Sequence, residues 1–394
     1  MRSMTGSITR ALALGLLGLA SAFAQDPIVV GAVVSQSGAH AELARGYARG
    51  LLVWESQVNT SGGLLRRPVE LRLLDDGSSA PQAGRLYAQL IREGADLLVG
   101  PYGSAATLLA AAEAERAQRV MVNGAGAAGA VHQRKFRYVF QSAIPYAAYG
   151  AGAVHLAKQA ELERVLILAR DDPASVEMAE AARAAALAQG LSSPGIELYA
   201  GGMVDFAAQV ERARAAKTDA WIAFGGVKDA AEMVKSLKRL DYAPRLFFAR
   251  GVAEPGFLAL VGQDGEFSLG ALEYHRGFST PSNAAFVEAF VARWSAAPGR
   301  AAAAGYAAAT VLAEAVRRAG TLDQEKVRDT LARLKTTTVL GPHGVDPASG
   351  AQAAANAVVV QILNGRREVV WPKPLETAQA LLPYPQWAER RLIE

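Results

Sequence analysis

The hydrophobic positions of this chain fall mostly in short unbroken runs, separated by alanine-rich stretches with helical spacing. Ile28-Val29-Val30-Gly31-Ala32-Val33-Val34 opens the series. Val69–Leu74, Leu97–Val99, Val120–Val122, Val165–Leu168, Ile196–Tyr199, Trp221–Phe224 and Leu246–Phe248 continue it. An apolar run without polar alternation predicts a strand covered on both faces, the usual state in a parallel sheet. Between the runs, positions such as Val227, Ala230, Ala231, Val234 and Leu237 recur at the spacing of an amphipathic helix. Regular alternation of the two patterns predicts an α/β protein with parallel sheets. The second half echoes the first, since Asp219 through Gly226 leads into a helix much as Asp96 through Gly100 does. Two α/β lobes with facing strand-end loops would hold a ligand between them. Late breaks fall at Phe278–Asn283 and Gly341–Gly344. Helical stretches over Ala284–Arg293, Ala301–Ala319 and Gln324–Leu334 and strand-like runs over Ala357–Leu363 and Glu368–Trp371 complete the pattern.

The start of the chain differs from the rest. Arg2 and Arg10 precede the apolar run Ala11–Ala20, and Ala22-Phe23-Ala24 supplies small residues where a signal peptidase needs them. This order predicts a secretory leader over residues 1–24, cleaved before Gln25. The run is too short to span a bilayer comfortably. Removing the leader lowers the formal net charge from +4 to +2. That is too little for a nucleic-acid or membrane-surface argument. The chain has no Cys, which excludes disulfides, thiol catalysis and Cys-based metal sites. An exported protein without disulfides suits a bacterial periplasm. Roughly 370 mature residues exceed what one core usually organises, so two domains are expected.

Candidate chemistry is sparse. After the run Leu97–Val99, the turn Gly100-Pro101-Tyr102-Gly103 leads to Ser104 and an alanine-rich helix. Ser104 is the expected N-cap. Free backbone N–H groups and the helix dipole there suit a carboxylate or another anion; a self-satisfied cap is the plainer alternative. Gly124-Ala125-Gly126-Ala127-Ala128-Gly129 matches G-x-G-x-x-G, but no long helix follows it. No acid lies between Glu115 and Glu161 to meet a ribose, so a dinucleotide is not expected. The five His residues are scattered, and no nucleophile, base and oxyanion set assembles. No cofactor or metal is expected.

The order of these pieces carries a resemblance. The leader is followed by Ile28–Val34-Ser35-Gln36-Ser37-Gly38, then Asn59-Thr60-Ser61-Gly62-Gly63-Leu64-Leu65-Arg66-Arg67-Pro68-Val69, then Asp75-Asp76-Gly77-Ser78 and the Gly100–Ser104 loop. From about Ile28 to Trp371 the chain resembles the leucine/isoleucine/valine-binding protein family, the periplasmic solute receptors of ABC importers. The resemblance implies an α/β, two-lobed type I periplasmic-binding-protein fold whose parallel-sheet lobes are joined by three crossovers. These are expected near Ser142–Tyr146, Glu273–His275 and Val339–Pro342. Lobe 1 would comprise 25–143 with 275–338, and lobe 2 144–274 with 339–394. It also implies a non-enzymatic monomer that traps a small solute and delivers it to an inner-membrane permease, with no nucleic-acid partner. Ser104, Ala125 and Ala127 match the positions that hold a ligand carboxylate in this family, although Ala127 often has a threonine counterpart. Arg250 stands at or near the place of an ammonium-binding glutamate, and Ala174 replaces an aromatic. Arginine prefers carboxylates and aromatic rings. The resemblance therefore points to an acid lacking an amino group, aromatic acids included, with a dicarboxylate next. Tyr102, Tyr146 and Phe224 are candidate walls. An exported α/β enzyme such as a hydrolase, and a ligand-sensing receptor of the same fold, are the alternatives.

Overall fold

The computed structural model describes residues 26–392, so the expected leader lies outside the described residues. The first sheet is built from β1 (Ile28–Val33), β2 (Val69–Leu74), β3 (Leu97–Val99), β4 (Met121–Asn123) and β5 (Val139–Gln141), in the order β2-β1-β3-β4-β5. All its pairings are parallel. The helices α1 (Ala41–Thr60), α2 (Ala80–Arg92), α3 (Ser104–Arg116) and the short α4 (Ala130–Gln133) connect these strands. The inner strands are apolar on both faces because helices cover both, and all residues of β1 and β3 are buried; the edge strand β2 carries Glu70 and Arg72 and is only partly buried.

The second lobe opens with α5 (Ala151–Gln159). It continues through β6 (Val165–Arg170), α6 (Pro173–Ala188), β7 (Ile196–Tyr199), α7 (Ala207–Ala215), β8 (Ala220–Phe224), α8 (Val227–Arg239), β9 (Leu246–Ala249), α9 (Phe257–Val261) and β10 (Leu269–Leu272). The chain then returns to the first lobe for α10 (Asn283–Trp294), α11 (Arg300–Ala319), α12 (Gln324–Arg333) and a small ribbon, β11 (Thr336–Thr338) with β12 (Gly341–His343). Finally β13 (Val358–Leu363) and β14 (Arg366–Trp371) complete the second sheet, in the order β14-β13-β10-β9-β8-β6-β7.

Two features differ from the sequence reading. The second sheet is not wholly parallel, because β13 and β14 form an antiparallel hairpin against β10. Asn364 and Gly365, both at positive φ (52° and 69°), turn the hairpin. Asn-Gly is the preferred pair for that turn. The third passage also lies later than Val339–Pro342. Gln141 N–H donates to Gly350 O at 2.8 Å, and Gln352 N–H donates to the Gln141 side chain at 3.1 Å. These bonds keep the chain beside β5 as far as Gln352, and Ala355 and Ala357 are the next residues to enter the core of the second lobe.

In the first lobe, α1 packs closely on α11. A Cβ at Gly50 would stand 2.0 Å from the Ala302 carbonyl oxygen, and one at Gly305 would stand 2.4 Å from that of Tyr47. Both helices therefore need glycine where they cross. The two lobes also touch directly: Gly129 N–H donates to Glu177 Oε1 at 2.9 Å, joining the loop after β4 to α6. Burial raises the pKa of Glu177, and the Gly129 bond pulls it back in part. Among the described residues no helix is long and apolar enough to cross a membrane.

Candidate functional site

The strand-end loops of the first lobe are fixed from beneath. The hydroxyl of Tyr87 donates to Val99 O, and that of Tyr47 donates to Gly100 O at 3.0 Å. Both rings are fully buried, so the carbonyls at the end of β3 have partners without reaching for solvent. The helix that follows starts differently from the expectation. Gly103, at φ 95°, is the N-cap, a conformation that favours glycine, and Ser104 is the first helical residue. Thr107 Oγ1 donates to Gly103 O at 2.8 Å. Ser104 is thereby released from capping, and its Oγ accepts from Ala128 N–H at 3.2 Å. The first N–H groups of α3 have no intrahelical acceptor.

The loop after β4 is held by Asn123. Its Oδ1 accepts from Ala125 N–H (3.2 Å) and Gly126 N–H (2.7 Å), and its Nδ2 donates to Gly126 O at 2.7 Å. The glycine pattern there has a packing origin. A Cβ on Gly124 would lie 2.5 Å from the Tyr47 hydroxyl, and one on Gly126 would lie 2.6 Å from Thr107 Oγ1.

A cavity of about 130 Å³ lies where these loops meet the passages between the lobes. Tyr102, Ala125 and Ala127 line it from the first lobe, and Tyr146 and Tyr149 from the first passage. Glu273 enters from the second passage, and Arg300, Ala301 and Ala304 from the start of α11. Tyr146 N–H donates to Ala127 O at 3.0 Å, tying the first passage to the loop after β4. Tyr146 and Tyr149 meet edge to face, with ring centroids 6.2 Å apart.

The charged groups form a chain. Glu273 Oε1 accepts from the Tyr149 hydroxyl and from Arg300 Nη1 at 3.2 Å. Burial works to raise the Glu273 pKa, but Arg300, Arg250 and the Tyr149 hydroxyl outweigh it and hold the carboxyl below its usual range. Glu273 in turn lifts the Arg300 pKa above its ordinary value. Arg250 pairs with Glu254, and its guanidinium lies over the Tyr149 ring, 5.7 Å from the centroid. Its Nε is buried without a partner.

Of the sequence candidates, Tyr102, Ala125, Ala127 and Tyr146 therefore line one cavity. Ser104 and Arg250 are not among the lining residues, and Arg250 sits behind Tyr149. Phe224 is not a wall: it is fully buried in the second-lobe core and packs on Phe248 with centroids 5.9 Å apart. Ala174 lies in the first turn of α6, where its N–H donates to the Asp172 side chain. Sequence reasoning missed Tyr149, Glu273 and Arg300. Arg300 carried a signal, since a cation in the first turn of a helix opposes the dipole and asks for an acid elsewhere. Among the described residues no group of three His, Cys, Asp or Glu side chains could hold a metal ion.

A family model described as "Periplasmic binding protein" matches residues 27–367. The chain belongs to the periplasmic binding protein family. Its lobes carry the family's type I α/β fold. This periplasmic binding protein is similar to the leucine-, isoleucine-, valine-, threonine- and alanine-binding protein of Pseudomonas aeruginosa, at 24% identity over 88% of this chain and 93% of the relative. Among solved structures it resembles a putative branched-chain amino acid ABC transporter from Silicibacter pomeroyi, with a TM-score of 0.81 and 19% identity over 91% of this chain and 100% of the other. It also resembles the ABC-transporter solute-binding protein of Rhodopseudomonas palustris BisB5 in complex with 3,4-dihydroxy benzoic acid, with a TM-score of 0.70 and 20% identity over 91% and 99% of the two chains. Family members of this kind bind solutes rather than transform them.

Proposed function

We propose that this chain is the exported receptor of an ABC importer. It captures one small carboxylate-bearing solute between its lobes and hands it, unaltered, to an inner-membrane permease. It works in the periplasm as a monomer after loss of residues 1–24. The observation that carries this reading is the cavity at the lobe junction, walled by Tyr102, Tyr146 and Tyr149 and edged by Arg300. Its 130 Å³ is close to the ~150 Å³ that holds a benzene ring in an apolar protein cavity, which favours a solute of one ring or one branched side chain. The relatives named above bind amino acids in one case and a hydroxylated aromatic acid in another. Tyrosine walls with Arg300 at the edge favour the aromatic acid here.

The test is a thermal-shift screen with amino acids, aromatic acids, dicarboxylates and amides. A true ligand at ~100 times its Kd stabilises the fold by about 2.7 kcal/mol. Such a ligand should also reduce the radius of gyration in solution scattering, because contacts to both lobes bias the open–closed equilibrium. A saturating ligand that leaves the scattering of an open apo protein unchanged argues against closure.

Ser104 is proposed as a carboxylate anchor through its hydroxyl. Ser104→Ala should weaken ligand binding by about 1.5–3 kcal/mol, the worth of one hydrogen bond to a charged group. Unchanged affinity in calorimetry, with the fold intact, removes that side chain from the site.

A further inference from the structure

Glu273 is an acid in the wall of the cavity whose two oxygens are used unequally. The Tyr149 hydroxyl and Arg300 Nη1 both donate to Oε1. Among the described residues, no other residue donates a hydrogen bond to Oε2. The side chain is only 18% exposed, and it faces the cavity beside Tyr102 and Tyr146. We propose that Glu273 reads a hydrogen-bond donor on the solute, so that the receptor prefers acids bearing a second, donating group. This rests on the carboxylate-receptor reading above and narrows its substrate class.

An ionised carboxylate offers about four acceptor positions and no donor. Other residues fill part of that capacity at Oε1, and the group lines the cavity. Arg300 and Arg250 keep the group charged, so it does not turn into a donor near neutral pH. A solute with a donor at this end completes the shell of Oε2. A solute with a plain hydrocarbon end strips water from Oε2 and returns nothing. A second carboxylate on the solute meets a like charge there, which disfavours dicarboxylates despite Arg300 nearby. A phenolic hydroxyl and an ammonium supply the same chemistry, and matched ligands separate them.

The experiment is calorimetry on the full mature protein with two pairs: para-hydroxybenzoate against benzoate, and leucine against isocaproate, which is the leucine skeleton without its amino group. In the pair that binds, the donor-bearing member should be about 10- to 100-fold tighter, the range expected for one hydrogen bond to a charged group. The aromatic pair responding alone identifies a phenol as the donor, and the leucine pair responding alone identifies an ammonium. Glu273→Gln keeps the shape and removes the charge; it should shrink that advantage to a fewfold, with folding checked by thermal midpoint. Equal affinity within a binding pair overturns the inference and leaves the receptor reading intact. So does an undiminished advantage in the folded Glu273→Gln protein. Binding of none of the four ligands overturns the carboxylate reading on which the inference stands.

Discussion

Gly50→Val should destabilise the protein by on the order of 3 kcal/mol and weaken ligand binding with it. The β-carbon of any replacement would stand 2.0 Å from the Ala302 carbonyl oxygen and 2.8 Å from its carbon. These are backbone atoms in the first turns of α11 and cannot swing aside as a flexible side chain would. The helices must separate, and valine's branched side chain has few rotamers with which to evade the contact. The strain passes directly to the cavity, because Arg300, Ala301 and Ala304 line it from the same turns. Gly46→Ala, one turn earlier, provides the control. Its new carbon meets Ala301 Cβ at 3.3 Å, a contact a small shift relieves. Urea midpoints should fall steeply for the first variant and little for the second. A Gly50→Val protein as stable as the parent would show that the α1–α11 crossing is looser than described.

His343 should make the protein sensitive to mild acid. Gln352 Nε2 donates to His343 Nδ1 at 3.1 Å, which places the ring proton on Nε2, where it meets no acceptor. The ring is buried, and burial lowers its pKa from 6.5 to about 4. Folding therefore favours the neutral ring. As pH falls below the unfolded value near 6.5, the unfolded chain takes up a proton that the folded one refuses. The loss of stability grows until the folded ring titrates near 4. Between about pH 7 and about pH 5 this group alone should remove about 2 kcal/mol. His343→Gln lacks the titrating ring, so its stability should fall correspondingly less over the same interval. Parallel pH slopes for the two proteins in urea unfolding would show that His343 is not the sensor.

The sequence made the inner sheet strands visible because strands such as β1, β3 and β8 are buried on both sides and leave an unbroken apolar run, whereas the edge strands β2 and β7 are partly buried and carry Glu70, Arg72 and Glu197. Val69–Leu74, Leu97–Val99 and Ile196–Tyr199 have the same bounds in the sequence reading and in the structure. Where it failed, a single local conformation or a long-range bond decided the outcome. Ser104 has a capping side chain, yet Gly103 takes the cap because the turn needs a positive φ there. The break at Gly341–Gly344 suggested a passage between lobes, yet the amide of Gln141 holds Gln352 to the first lobe across more than two hundred residues. The cavity divides in the same way. Tyr102, Ala125, Ala127 and Tyr146 sit beside strand ends, where topology alone points to a ligand. Glu273 and Arg300 meet only because a passage and a helix start converge in space, and no periodicity records such a meeting.

The bond from Gly129 to Glu177 joins the lobes without involving the cavity. It therefore stabilises the shut molecule whether or not anything is inside. A contribution of about 1 kcal/mol multiplies the ratio of shut to open empty molecules about fivefold. In the proposed transport cycle, the permease then meets receptors that look loaded and carry no cargo. Each such encounter occupies the transporter without a delivery. The frequency of these idle encounters rises with this bond and is independent of how tightly the solute is held.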